Sequence, residues 1–275
     1  MLRFGSGKTI VEGILAYDWA VAGCGAVPAL TAALNDRLDI IAVANDESLA
    51  NALYVRADSP ILKVKGANPA FPEIYGDRAS VAKKLILCPK ATSAHYLMTA
   101  WLKALGLSEK DVRVRYMDPT PALGAFSGGL GDAVALWAPL TYEAEQKGFK
   151  AAALSNHCGV SQPVLLVANR AYADKYPQRM ENLAADYSRF FKEWTGLELT
   201  PEQAVQDLKA HPVFTLNEQL ALFNAAQGKS KLQTWLGDIA AFYESIGSVR
   251  EADRPRLERM NAVTDVYLKA ISPKP

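Results

Sequence analysis

Very little in this chain of 275 residues is equipped for covalent or metal chemistry. It holds three histidines, His95, His157 and His211, and three cysteines, Cys24, Cys88 and Cys158, with no C-x-x-C pair. That spacing excludes a disulfide framework and a clustered thiolate site, and it predicts the cysteines to be small buried apolar residues. Charge of one sign is missing too: 30 Lys and Arg stand against 29 Asp and Glu, a formal net charge of +1. No field over the whole molecule would attract nucleic acid or an anionic membrane, so a charged ligand must be met by a local site. No run approaches the ~20 apolar residues of a membrane-spanning helix, because Asp18 interrupts the most hydrophobic stretch. Neither a nucleophile elbow nor paired carboxylates are evident, so no catalytic residue, metal or cofactor is expected.

What the chain does have is apolar material, 50% of its residues, which is enough for one wide domain or two lobes of ordinary size. Short apolar runs alternate with helical periodicity to about residue 170, the mark of an α/β sheet, and a mostly helical tail follows. The runs predict strands at 20–22, 40–44, 52–55, 84–88, 112–116, 133–137, 151–154 and 164–168. Most are too short and too apolar for a sheet with a face open to water. Helices are expected after Thr9, whose spacing to Glu12 suits a capping box, from Pro28 to Leu34, and from Thr92-Ser93 to Gly106. Two more are expected after Thr120-Pro121 and from Pro139 to Lys147, and tail segments near 179–195, 201–210, 216–226, 230–246 and 253–271.

The opening Gly5-Ser6-Gly7-Lys8-Thr9 has the ending of a phosphate-binding P-loop. That loop also needs a glycine at position 2, where the chain has Leu2, so a Gly-Ser turn feeding a helix is the better reading. A weak internal echo links YDWAVAGCGAVPALTAAL (17–34) with GDAVALWAPLTYEAEQKG (131–148), as two lobes on one plan would. Asp18 and Asp132 fall at equivalent points and are expected to brace turns.

AYDWAVAGCGAVPAL (16–30) behind an FGSG turn, KKLILCPKATSAHYLMTAWLKALGLSEKDVRV (83–114) and FSGGLGDAVALWAPLTYEAEQKG (126–148) occur in an order and spacing that is informative together, although none is specific alone. Over residues 3–170 the chain resembles ABC-transporter substrate-binding proteins of the sulfonate, taurine and nitrate group. The resemblance implies a type II periplasmic-binding-protein fold, two α/β lobes around a ligand cleft with a helical C-terminal tail. Lobe 1 would comprise 1–82 plus 163–275, and lobe 2 would be 83–162. It implies a small anionic ligand, an ABC permease in the membrane as partner, no nucleic acid and a periplasmic location. Relatives carry a further strand-helix unit and a secretion leader ahead of the FGSG segment. The expectation is therefore a late start, with the first unit missing or supplied in trans by a second copy in a homo-oligomer, or a cytoplasmic protein if the sequence is complete.

Candidate ligand contacts follow from the match. Thr92, Ser93 and Ala94 open a helix, where free N–H groups and two hydroxyls favour an anion without net charge. His95 could donate to the same anion, and Trp137 would wall the apolar part of the ligand. Ser6, Gly7, Cys24 and Gly25 would offer backbone donors on the other lobe, and Glu47 could meet an amine. Two rival readings use the same fold: an enzyme of the chorismate dehydratase kind, and a carrier or synthase for a thiamine pyrimidine precursor.

Overall fold

A computed structural model describes residues 7–16, 19–35, 37–176, 216–224 and 228–249. Along the chain the elements are α1 (Gly7–Glu12), β1 (Val21–Gly25), α2 (Ala26–Leu34), β2 (Leu38–Asp46), β3 (Asn51–Val55), α3 (Arg78–Val81), β4 (Leu85–Cys88), α4 (Ser93–Ala104), β5 (Arg113–Tyr116) and α5 (Pro119–Ser127). They continue with β6 (Ala133–Trp137), α6 (Leu140–Gln146), β7 (Lys150–Leu154), β8 (Pro163–Asn169), α7 (Arg170–Lys175), α8 (Leu216–Phe223) and α9 (Lys231–Ser245). Each of the eight expected strands is present. The expected tail helices at 179–195, 201–210 and 253–271 lie outside the described residues.

The chain forms two compact units. Among the described residues, the first takes those up to Asp46 and those from Pro163 on, and the second takes Glu47–Gln162. The division expected at 82/83 is therefore displaced to 46/47. The cause is β3, whose five residues are all buried and pair antiparallel with β6 on one side and β7 on the other. A strand this apolar needs neighbours at both edges and cover on both faces, and the second unit supplies them.

In the second unit the sheet order is β5-β4-β6-β3-β7, with β4 parallel to β5 and β6. Alternation along the strands sorts their side chains onto two faces. Leu53, Val55, Ile86, Cys88, Ala133 and Ala135 pack in one cluster with Leu97, Met98, Trp101 and Leu102 of α4. Ala52, Tyr54, Leu87, Val134 and Leu136 pack in another with Leu123 and Phe126 of α5 and Ala144 of α6. Both faces being covered explains why these strands read as unbroken apolar runs. In the first unit β8 is buried throughout and lies between β1 and β2, antiparallel to both. The Tyr243 hydroxyl of α9 donates to the Val27 carbonyl of α2, fastening the helical tail to the start of that helix.

Two expected helix starts are corrected. α1 begins at Gly7, so Thr9 is inside it and does not cap it. α5 takes Asp118 as N-cap with Pro119 at its first turn, each two residues ahead of its counterpart in the Thr120-Pro121 start. Asp118 makes no side-chain cap hydrogen bond, so what favours the earlier start is Pro119, whose φ is already helical and whose missing N–H costs nothing at the first position. The echo of sequence is real at the level of elements: one copy is β1 and α2, the other β6 and α6, one in each unit.

Candidate functional site

β4 leaves the sheet at Cys88 and the chain reaches α4 within four residues, Pro89-Lys90-Ala91-Thr92. The carboxyl end of a parallel strand joined to a helix start is where α/β sheets place their ligands. Thr92 is the N-cap, extended at φ −125° and ψ 174°, and its hydroxyl oxygen accepts from the His95 N–H at 3.4 Å. The same hydroxyl donates to the Pro89 carbonyl at 2.7 Å, so it closes the turn on both sides. The Ser93 and Ala94 N–H groups have no partner among the described residues, as expected of the first turn of a helix. Ser93 is half-buried, while its carbonyl accepts from Gln162 Nε2 at 2.9 Å. These two N–H groups, unpartnered on the positive end of a twelve-residue helix, suit an oxyanion without a cationic side chain; Ser93 keeps exposed surface there, and Ala94 has none.

Ala91, directly ahead of the cap, has φ 56°, in the left-handed region that an alanine rarely occupies. Its N–H donates to His95 Nδ1 at 3.0 Å. A nitrogen that accepts carries no proton, so the imidazole proton is on Nε2, which points at Glu109 Oε1 at 2.7 Å. Tyr116 donates to Glu109 Oε2 at 2.6 Å, and Thr99 Oγ1 donates to the His95 carbonyl at 3.0 Å. The hydrogen bond from His95 holds the Glu109 carboxyl below its ordinary value, with Tyr116 and Thr99 adding to it against partial burial. Desolvation and the Glu109 hydrogen bond push the Tyr116 phenol up. The direct donation to an anion expected of His95 is thereby corrected: its ring is fully buried and both nitrogens are engaged within the second unit.

Trp137 ends β6 half-buried, packed on its inner side against the α4-face cluster, and Ala138–Pro139, a cis peptide, leads into α6. Asp132 accepts from the Leu85 N–H at 2.8 Å and from Lys84 Nζ at 3.2 Å, which is the turn-bracing part expected of it. Its counterpart Asp18 lies outside the described residues. A second polar group surrounds the ends of the unit: Ser48 Oγ accepts from the Gln162 N–H at 3.1 Å, and Ser155 Oγ from Gln162 Nε2 at 3.2 Å. All three residues are buried.

In the first unit Gly25 is the N-cap of α2. Ser6 lies outside the described residues. Gly7 is pressed against its own chain: a Cβ there would stand 2.7 Å from Pro28 Cγ and 3.0 Å from Cys24 Sγ. Its lack of a side chain thus serves packing against α2. Cys24 is buried, and its thiol donates to the Gly7 carbonyl at 3.7 Å. None of the three cysteines is in a disulfide and all are buried, and burial pushes the Cys158 thiol up to about 12 and that of Cys88 well above its usual range. Neither is a nucleophile at neutral pH. Among the described residues no group of three or more His, Cys, Asp or Glu could hold a metal, and no helix is long and apolar enough to cross a membrane.

Neither the His95–Glu109–Tyr116 chain nor the Gln162 group was foreseeable from spacing. His95 and Thr99 share a helix face at i and i+4, but Glu109 and Tyr116 come from the following loop and strand.

No family model matches the chain. It is 26% identical over 255 residues, 92% of this chain and 70% of the other, to a Brachyspira hyodysenteriae protein carrying the provisional name of an ABC transporter periplasmic binding protein. Among solved structures it is similar to the periplasmic aliphatic sulphonate binding protein SsuA of Escherichia coli, with TM-score 0.66, 19% identity, and coverage of 94% of this chain and 86% of that one. It is also similar to the periplasmic nitrate-binding protein NrtA of Synechocystis PCC 6803, with TM-score 0.67, 14% identity, and coverage of 98% and 79%. The chain has the fold of these periplasmic binding proteins, and over most of its length it is similar in sequence to the Brachyspira hyodysenteriae protein.

Proposed function

We propose that this protein is the substrate-binding component of an ABC importer, holding a small oxyanion at the first turn of α4. Ser93 and Ala94 supply backbone N–H donors, the Ser93 hydroxyl flanks them, and the Thr92 hydroxyl holds the turn that presents them. Trp137, half-buried at the end of β6, would face the apolar part of an organic anion. The start of α2 behind Gly25 offers a comparable turn in the first unit, with no side chain at the cap to obstruct it. The observation that carries the reading is the pair of unpartnered N–H groups at Ser93 and Ala94, in a chain similar to a protein named as an ABC transporter periplasmic binding protein. Sulphonates and nitrate, the ligands for which the two structural neighbours are named, are the first candidates, with carboxylates and taurine-like compounds next. The reading places the protein in the periplasm, delivering to a membrane permease.

The test is a thermal-shift panel of ethanesulfonate, taurine, nitrate and acetate. A ligand at 100 times its Kd stabilises the folded state by about 2.7 kcal/mol, a rise in Tm of several degrees. Replacing Thr92 and Ser93 together by alanine should reduce that rise. A panel that leaves Tm unmoved throughout contradicts the proposal.

A further inference from the structure

We infer that His95 is a positioning residue, whose Nδ1 holds the Ala91 amide and with it the left-handed turn that aims the first N–H groups of α4. The inference rests on the reading of that turn as the anion site. Alanine has no side chain to hydrogen-bond locally, as asparagine or aspartate would in this conformation, and the left-handed region is unfavourable for it because its Cβ crowds the following carbonyl. Something outside the residue must therefore impose φ 56° on Ala91. The Ala91 N–H donates to His95 Nδ1 at 3.0 Å, from a ring with no exposed surface.

The ring itself is fixed from the other side. Glu109 Oε1 takes the Nε2 proton at 2.7 Å, and Glu109 is held in turn by Tyr116. Tyr116 also meets the Nε2 end of the ring at 3.2 Å, packs edge-on against it, and carries Lys90 over its face at 5.4 Å. This chain settles the tautomer: with Glu109 claiming Nε2–H, only Nδ1 is left to accept. A ring in the other tautomer would point a proton at the Ala91 N–H and drive the turn open. Thr92 follows Ala91 directly, so the backbone torsions at Ala91 set where the cap and the N–H groups of Ser93 and Ala94 stand relative to β4. His95 thus acts on the anion through Ala91 without touching it.

The test uses the full chain and heteronuclear NMR first, without ligand. In the native protein a coupling across the Ala91 N–H···Nδ1 bond, an unprotonated Nδ1 and a protonated Nε2 are expected, and Ala91 should show the torsion of a left-handed residue. In His95→Phe that torsion should be lost, and Ala91→Gly added to it should recover the turn, because glycine enters this region freely. Isothermal titration with ethanesulfonate and with nitrate should then show about tenfold weaker binding of the accepted probe in His95→Phe, recovered to within about threefold by the added Ala91→Gly. A purely structural role for the ring would not be rescued by a glycine at 91. Ala91 keeping its left-handed torsion in His95→Phe overturns the inference, and so does unchanged affinity. Should His95→Phe fail to fold, the absence of the native Ala91–Nδ1 coupling overturns it alone. A native protein that binds no probe contradicts the proposed function, while the Ala91 signature still decides what holds the turn.

Discussion

At Glu109 the three groups around one carboxylate make a pH dependence that can be assigned a sign. Its pKa is lowered in the folded state, first by the hydrogen bond from His95. A carboxyl lowered below its unfolded value, about 4.3, adds stability above that value and loses it as pH falls through the folded pKa. Glu109→Gln should therefore flatten the loss of stability below about pH 4.3. Urea unfolding of both proteins between pH 3 and 7 measures it, and parallel curves would refute the assignment. Trp101 gives the complementary prediction in the core. It is fully buried and donates to the Tyr75 carbonyl at 3.0 Å. Trp101→Ala should cost about 3–5 kcal/mol in chemical unfolding, since it opens a cavity and strips a carbonyl of its partner. A loss within about 0.5 kcal/mol, typical of a surface site, would contradict that packing.

Among the elements, α9 is the one whose start is most clearly written in its sequence. Ser230 Oγ accepts from the Gln233 N–H at 3.2 Å, and Gln233 Oε1 accepts from the Ser230 N–H at 2.8 Å, a reciprocal pair. Ser230→Ala should cost about 1 kcal/mol, measured as a drop in the unfolding midpoint, and no change would show the cap to be dispensable. α4 was legible for the same reason: Thr92 caps it, Leu97 and Trp101 face the core, and Gly106, at φ 69°, takes the left-handed step just past its end. Thr9 and Thr120 show where such reading stops. Each has the chemistry of a cap, yet the helix begins ahead of it, because capping potential is common: Gly7 packs closely against α2 within α1, and Pro119 opens α5 ahead of Thr120. β3, β4, β6 and β8 were legible because two covered faces demand unbroken apolar runs, whereas the edge strand β5 is mostly exposed and carries Arg113 and Arg115. Their assignment to units was not, since nothing local to Asn51–Val55 says that β6 and β7 are its neighbours. The same limit hid the partners of His95: hydrogen bonding between α4, the loop after it and β5 has no signature in spacing.

For the whole molecule, a formal charge of +1 gives no overall field that would draw in an anion, so the proposed site depends on local dipoles. That can be tested at a single atom. Ser93 is the first residue of α4, where proline is tolerated, and Thr92 ahead of it is already extended, as a residue before proline must be. Ser93→Pro thus removes the Ser93 N–H and hydroxyl with little demand on the helix, and Ser93→Ala removes the hydroxyl alone. The decisive measurement is isothermal titration of ethanesulfonate and nitrate into the native protein and both variants. Binding to the native protein, weakened about tenfold or more in Ser93→Pro and less in Ser93→Ala, is the predicted result, a loss of about 1.4 kcal/mol. Equal affinity in the native protein and Ser93→Pro would contradict an anion site at the start of α4.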